Sequence, residues 1–139
     1  MSPVVDADTG ELLGQLTVPE LNHRMVELSN ALDLNTAELR RLAAEKERVD
    51  LTYRLHFAAA VAASGRRSAD QRKAEAEQHC ASVPAREGTA ESLAHAASRL
   101  DMQLKAEREA GHNIRSQLSA MQSVASNLRS EISGLGYRP

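Results

Sequence analysis

Four cations stand within one short stretch, Arg66, Arg67, Arg72 and Lys73, offset only by Asp70. Ser64-Gly65 precedes them, and Ser68 followed by a run of helix formers places the cluster at the start of a helix, with Arg72 and Lys73 on that helix. Free backbone N–H groups and the helix dipole favour anions there. These residue types in this place can contact a phosphate backbone, or simply keep an exposed turn solvated. A second set, Arg108, Arg115 and Arg129, with Gln122 between, recurs beside an apolar seam at helical spacing. It forms a second basic stripe, either pairing with the acidic flank of another helix at Glu38, Glu45 and Asp50 or tracking a nucleic acid.

Other chemistry finds little support. The chain has no glycine-rich phosphate loop, no serine nucleophile elbow, no HExxH and no CxxC. Its five histidines, His23, His56, His79, His95 and His112, never fall three or four apart. His79 and Cys80 are adjacent, but zinc needs more ligands than that pair. Asp6, Asp8 and Gly10 resemble the start of a calcium loop without its distal glutamate, so a turn is expected there. No catalytic residue, metal or cofactor is assigned, and no enzyme is expected.

The elements that would position these residues are helices. Leu93, Ala97, Leu100, Leu104, Glu107, Gly111, Ile114, Leu118, Met121, Ala125, Leu128 and Ile132 follow one another at alternating steps of four and three. This unbroken heptad seam predicts a helix opened by Thr89, closed by Gly134 and Gly136, and roughly 60 Å long. An earlier seam runs through Leu21, Met25, Leu28, Leu32, Asn35, Leu39, Leu42, Lys46, Val49, Tyr53, His56 and Ala60, opened by a Thr17–Glu20 capping box. At Asn35 either the helix continues with a buried polar residue, or it breaks and restarts with Asn35 as cap, Glu38 reaching back and Leu34 stapling onto Leu39. The break is the expected alternative. The helix then ends near Ala63 with Gly65 just past it, and Ser68 opens a short helix over 69–81 that Val83-Pro84 stops. The two long helices are expected to lie antiparallel.

Glu107 and Lys46 interrupt the seams at inner positions, so they are expected to pair or to leave a wet level. Gly111 and the inner alanines allow another backbone to come close. The fold class is therefore all-α: coiled-coil-like long helices, a short intervening helix, and a β-hairpin-like arm over residues 1–16 built on Asp8-Thr9-Gly10. Residues 17–139 are expected to form a helical region that self-associates and that can contact DNA through the basic turn.

Composition agrees. Apolar residues make up 42%, yet alanine dominates and the only aromatics are Tyr53, Phe57 and Tyr137. Faces this narrow leave a helical hairpin marginal, so self-association through Leu93, Leu100, Leu104, Ile114, Leu118, Met121, Leu128 and Ile132 is expected. The formal net charge of −2 excludes a uniformly basic surface, so any nucleic acid must bind a local patch. A single cysteine forms no internal disulfide. No signal peptide is recognised, and the longest nearly apolar run, Phe57 to Ala63, is too short to span a bilayer. A cytoplasmic location without membrane partners is expected.

Residues 50–132 resemble the UvsY-like recombination mediators of bacteriophages. The shared features are a long helix ending in Ser64-Gly65-Arg66, Arg72-Lys73-Ala74 on the next helix, and a final helix with Leu118-x-x-Met121-x-Ser123 and Leu128-Arg129-x-Glu131. The resemblance implies a ring-forming homo-oligomer in the host cell cytoplasm. It would bind single-stranded DNA and help a RecA-like recombinase load onto strands covered by single-strand-binding protein. Arg66, Arg67, Arg72 and Lys73 would then face the DNA. The chain differs from the family in Ala58–Ala63, where members carry basic residues before the break. Aromatics for base stacking are also missing near the cluster, so binding would be salt-sensitive and sequence-blind. A coiled-coil scaffold or phage assembly protein without nucleic acid fits the same heptads.

Overall fold

The computed structural model describes residues 16–136, with side chains through 132. The expected hairpin over 1–16, the calcium-like Asp6 and Asp8, and Tyr137 lie outside the described residues apart from Leu16. Three helices follow in order: α1, Val18–Ala63; α2, Ala69–Ser82; and α3, Leu93–Gly136. The chain divides into two compact units, one made of the residues up to Ala37 and from Glu109 onward, the other of Glu38–Arg108.

In the first unit the start of α1 packs on the end of α3. Thr17 and Glu20 form the reciprocal cap, with the Thr17 N–H donating to Glu20 Oε2 at 3.0 Å and the Glu20 N–H to Thr17 Oγ1 at 3.3 Å. Leu21, Leu28, Met121 and Ala125 are buried together, flanked by Leu16, Met25, Ile114, Leu118 and Leu128. Further along α1, Asn35 meets Gly111, so α3 is followed backwards as α1 is followed forwards and the two segments are antiparallel.

The break expected at Asn35 does not occur: α1 is continuous, and Asn35 is buried at 5% exposure. A side chain at position 111 would overlap Asn35 Oδ1, so the glycine is what makes room for the buried amide. Leu34, expected to staple a restarted helix, is 73% exposed. Ile132 also departs from the expected seam and is 60% exposed. It lies one heptad beyond Ala125, at a level where α1 has not yet begun.

In the second unit Leu42 and Val49 of α1 pack with Leu93, Ala96, Leu100 and Leu104 of α3, and Leu39, Tyr53, Val83, Ala85 and Ala97 complete the cluster. α2 buries Ala76 and Cys80, one turn apart. Lys46 takes Asp50 at 2.8 Å and Asp101 at 3.0 Å, instead of the expected Glu107.

α3 begins at Leu93, three residues later than a cap at Thr89 implies. The loop before it is closed by backbone bonds from the Ala85 N–H to Glu91 O and from the Leu93 N–H to Val83 O, both 2.8 Å. Gly88 turns the chain at φ 77°, a left-handed conformation that suits glycine. Thr89 is consumed in that turn, its hydroxyl donating to Arg86 O at 2.9 Å. Ser92 is the cap instead, accepting from the His95 N–H at 3.2 Å.

Candidate nucleic-acid interface

The basic turn connects α1 to α2 within the second unit. Five alanines and Val61, over residues 58–63, carry α1 to its end, where the Ser64 N–H bonds Val61 O at 3.3 Å. The left-handed glycine cap expected at Gly65 is absent, since Gly88 alone among the described glycines has positive φ. Ser64 takes over the role of organising the turn. Its hydroxyl donates to Glu75 Oε2 at 2.7 Å and accepts from the Arg66 N–H at 3.3 Å. Ser68 sits at the N-cap in extended conformation, but its side chain makes no capping bond; its carbonyl accepts from the Arg72 N–H at 3.0 Å instead.

The four cations of this turn are all exposed, and they divide into two kinds. Arg72 Nε donates to Arg66 O at 2.6 Å, folding the guanidinium back onto the turn. This follows from its position one helical turn before the buried Ala76, on the face of α2 that meets the rest of the unit. Arg66 Nε stands 4.0 Å from Glu75 Oε2 and keeps 67% of its side chain exposed. Arg67 and Lys73 have no ion-pair partner among the described residues, so their charge is directed to solvent. Asp70, in the first turn of α2, is oriented favourably toward the helix dipole.

The second stripe is not an interhelical ion-pair ladder. Glu38 is held by Arg41 at 2.6 Å, Glu45 by Arg48 at 2.9 Å and Arg86 at 2.8 Å, and Asp50 by Lys46. Arg108, Arg115 and Arg129 are exposed and have no ion-pair partner among the described residues. Arg108 borders an open groove in the second unit with Lys46, Arg54, Glu47, Asp50 and Asp101. The acids there offset the cations, so the groove carries no net charge to hold an anion.

The strongest electrostatic cluster of the second unit is structural. The Arg48 guanidinium and then that of Arg86, both hydrogen-bonded to Glu45, lower its carboxyl to about 2. Arg99 grips Glu91 through two bonds of 2.7 and 2.9 Å and holds that carboxyl below its ordinary value. Together these pairs clamp the 83–92 loop to α1 and to the start of α3. The carboxylates of Asp50 and Asp101 hold the Lys46 ammonium above its ordinary value.

Sequence spacing missed one juxtaposition. His56 Nδ1 and His79 Nε2 lie 3.3 Å apart, brought together by the turn between α1 and α2. The residues are 23 apart in the chain, so no local spacing could reveal it. Cys80 beside them is buried and its thiol is raised by that burial, which leaves little of the reactive thiolate. Among the described residues, no three His, Cys, Asp or Glu side chains converge as a metal site. No described helix is long and apolar enough to cross a membrane.

No protein-family model, no curated protein and no solved structure matches the chain.

Proposed function

We propose that this is a self-associating helical protein, without catalytic activity of its own, that holds single-stranded DNA on the basic turn between α1 and α2. The observation that carries this reading is the pair Arg67 and Lys73. Both are exposed and lack an acidic partner among the described residues, on a turn braced by the bond from Arg72 to the Arg66 carbonyl. Six other cations of the second unit, Arg41, Lys46, Arg48, Arg66, Arg86 and Arg99, are matched by carboxylates. An unmatched pair on a braced turn suits a phosphate backbone, and repeating it over several subunits would give avidity despite the net charge of −2. The resemblance to UvsY-like mediators extends the proposal: the bound strand would receive a RecA-like recombinase in place of single-strand-binding protein.

A mobility assay with a labelled single-stranded oligonucleotide tests it, comparing the wild type with the Arg66→Ala, Arg67→Ala, Lys73→Ala triple variant. Wild-type binding should weaken as salt rises, with a log–log slope of about 0.7 per phosphate contact. The variant should bind less and show a shallower slope. Unchanged binding by the variant overturns the assignment.

One observation favours a scaffold without nucleic acid. Arg72 and Arg66 are both engaged in holding the turn, through Arg66 O and Glu75. On that reading wild-type protein binds no oligonucleotide even at low salt.

A further inference from the structure

Leu51 and Leu55, on α1 in the second unit, are 56% and 63% exposed. Ala44 and Ala58 are exposed as well. Ala44, Leu51 and Ala58 are separated by heptad steps, each of which drifts only about 20° around the helix, so the three form one line. Glu47 and Arg54 lie along one side of that line, and neither has an ion-pair partner among the described residues. Leu55 and Arg48 lie along the other side, with the Arg48 guanidinium held by Glu45.

We propose that this line is the contact face for a second copy of the chain, its α1 antiparallel to the first across a two-fold axis beside Leu51. The inference rests on the self-association in the reading above and adds the surface and the register. A two-fold contact must be self-complementary, each feature on one side of the axis matched by its complement at the same distance on the other. The line meets that demand. Leu51 falls on the partner subunit's Leu51, and Ala44 falls on the partner subunit's Ala58, letting the backbones come close. An axis perpendicular to both helices keeps like flanks together. Glu47 therefore comes beside the partner subunit's Arg54, and Arg54 beside the partner subunit's Glu47. On the other flank Leu55 covers the aliphatic stem of the partner subunit's Arg48.

The open groove of about 540 Å³ bordering Glu47, Leu51 and Arg54 gives the incoming side chains room. An unrelated partner would not require opposite charges mirrored about one leucine. The contact spans a few turns and is smaller than a standard stable interface, so it should dissociate on dilution.

Sedimentation over a dilution series tests the proposal. The samples are wild type, Glu47→Arg, Arg54→Glu, the double variant, and an equimolar mixture of the two single variants, each shown to be helical by circular dichroism. Each single change makes both symmetry-related contacts like-charged, and should raise the dissociation constant tenfold or more. The double variant should recover most of the loss. The mixture should also recover it, because a Glu47→Arg copy facing an Arg54→Glu copy has two opposite-charge contacts. Wild-type association that none of these changes alters would overturn the interface while leaving self-association standing. A wild type that stays monomeric at every concentration would overturn the interface and the self-association beneath the proposed function together.

Discussion

Gly111→Ala should destabilise the protein, against the ordinary direction of that change. In a helix interior alanine is favoured over glycine by about 1 kcal/mol, and Gly111 lies well inside α3. Here, however, the added methyl overlaps Asn35 Oδ1, and Asn35 is only 5% exposed, with no solvent-facing position to retreat into. Forcing extra atoms into a filled interior costs about 1–3 kcal/mol, which exceeds the propensity gain. A net loss on the order of 1 kcal/mol is expected. Urea unfolding followed by circular dichroism measures it, and the same substitution in an Asn35→Ala background isolates the cause. With the amide gone the methyl has room, and Gly111→Ala should then stabilise by about 1 kcal/mol. If the substitution stabilises in both backgrounds, or destabilises equally in both, the close approach of these two residues is not what determines position 111.

Ser92→Ala should cost about 1 kcal/mol by removing the cap of α3, whereas Ser68→Ala should change stability by less than about half that, because the Ser68 side chain caps nothing. Equal effects in urea unfolding would contradict the assigned caps. Glu45 supplies a pH dependence. Its folded carboxyl is lowered from 4.5 to about 2, so its contribution is fully present above the unfolded value and is lost as pH falls from 4.5 toward 2. Glu45→Gln should reduce stability near neutrality and flatten the acid limb of a pH–stability profile; an acid limb as steep as wild type would refute the clamp on the 83–92 loop.

The long helices were legible in the sequence because a heptad seam depends only on spacing within one segment. Leu21, Leu28, Leu42, Val49, Leu93, Leu100, Leu104, Met121 and Ala125 are buried apolar positions of those seams. Asn35 was misread for a related reason. Asn35 with Glu38, preceded by Leu34, is locally a sound helix start, and what overrides it is a glycine on another helix. Thr89 misled in the same way. It stands before a run of helix formers, but long-range backbone bonds from Ala85 and Leu93 hold its neighbours in a loop. In the candidate site the cluster of cations was visible, but not its division. That Arg72 bends onto Arg66 O while Arg67 and Lys73 face solvent depends on which face of α2 is buried.

The second basic stripe shows why the remaining charges fall where they do. An acid three or four residues from a cation on its own helix pairs without bringing two distant segments into register, and such pairs are worth a few tenths of a kcal/mol. Glu38 with Arg41, Glu45 with Arg48, and Asp50 with Lys46 are all of this kind. Once they form, few acids on α1 remain for arginines of α3. Glu47 is one of those left over, because positions 43, 44, 50 and 51 around it are Ala, Ala, Asp and Leu and offer no cation at helical spacing. Arg54 has Asp50 one turn before it, but Asp50 is already bound to Lys46. Glu47 and Arg54 cannot serve each other either, since a heptad separates them by about 10 Å along the helix axis, beyond ion-pair reach. Along α1 itself neither finds an unengaged charge of the opposite sign at helical spacing, and an antiparallel copy presents both at once.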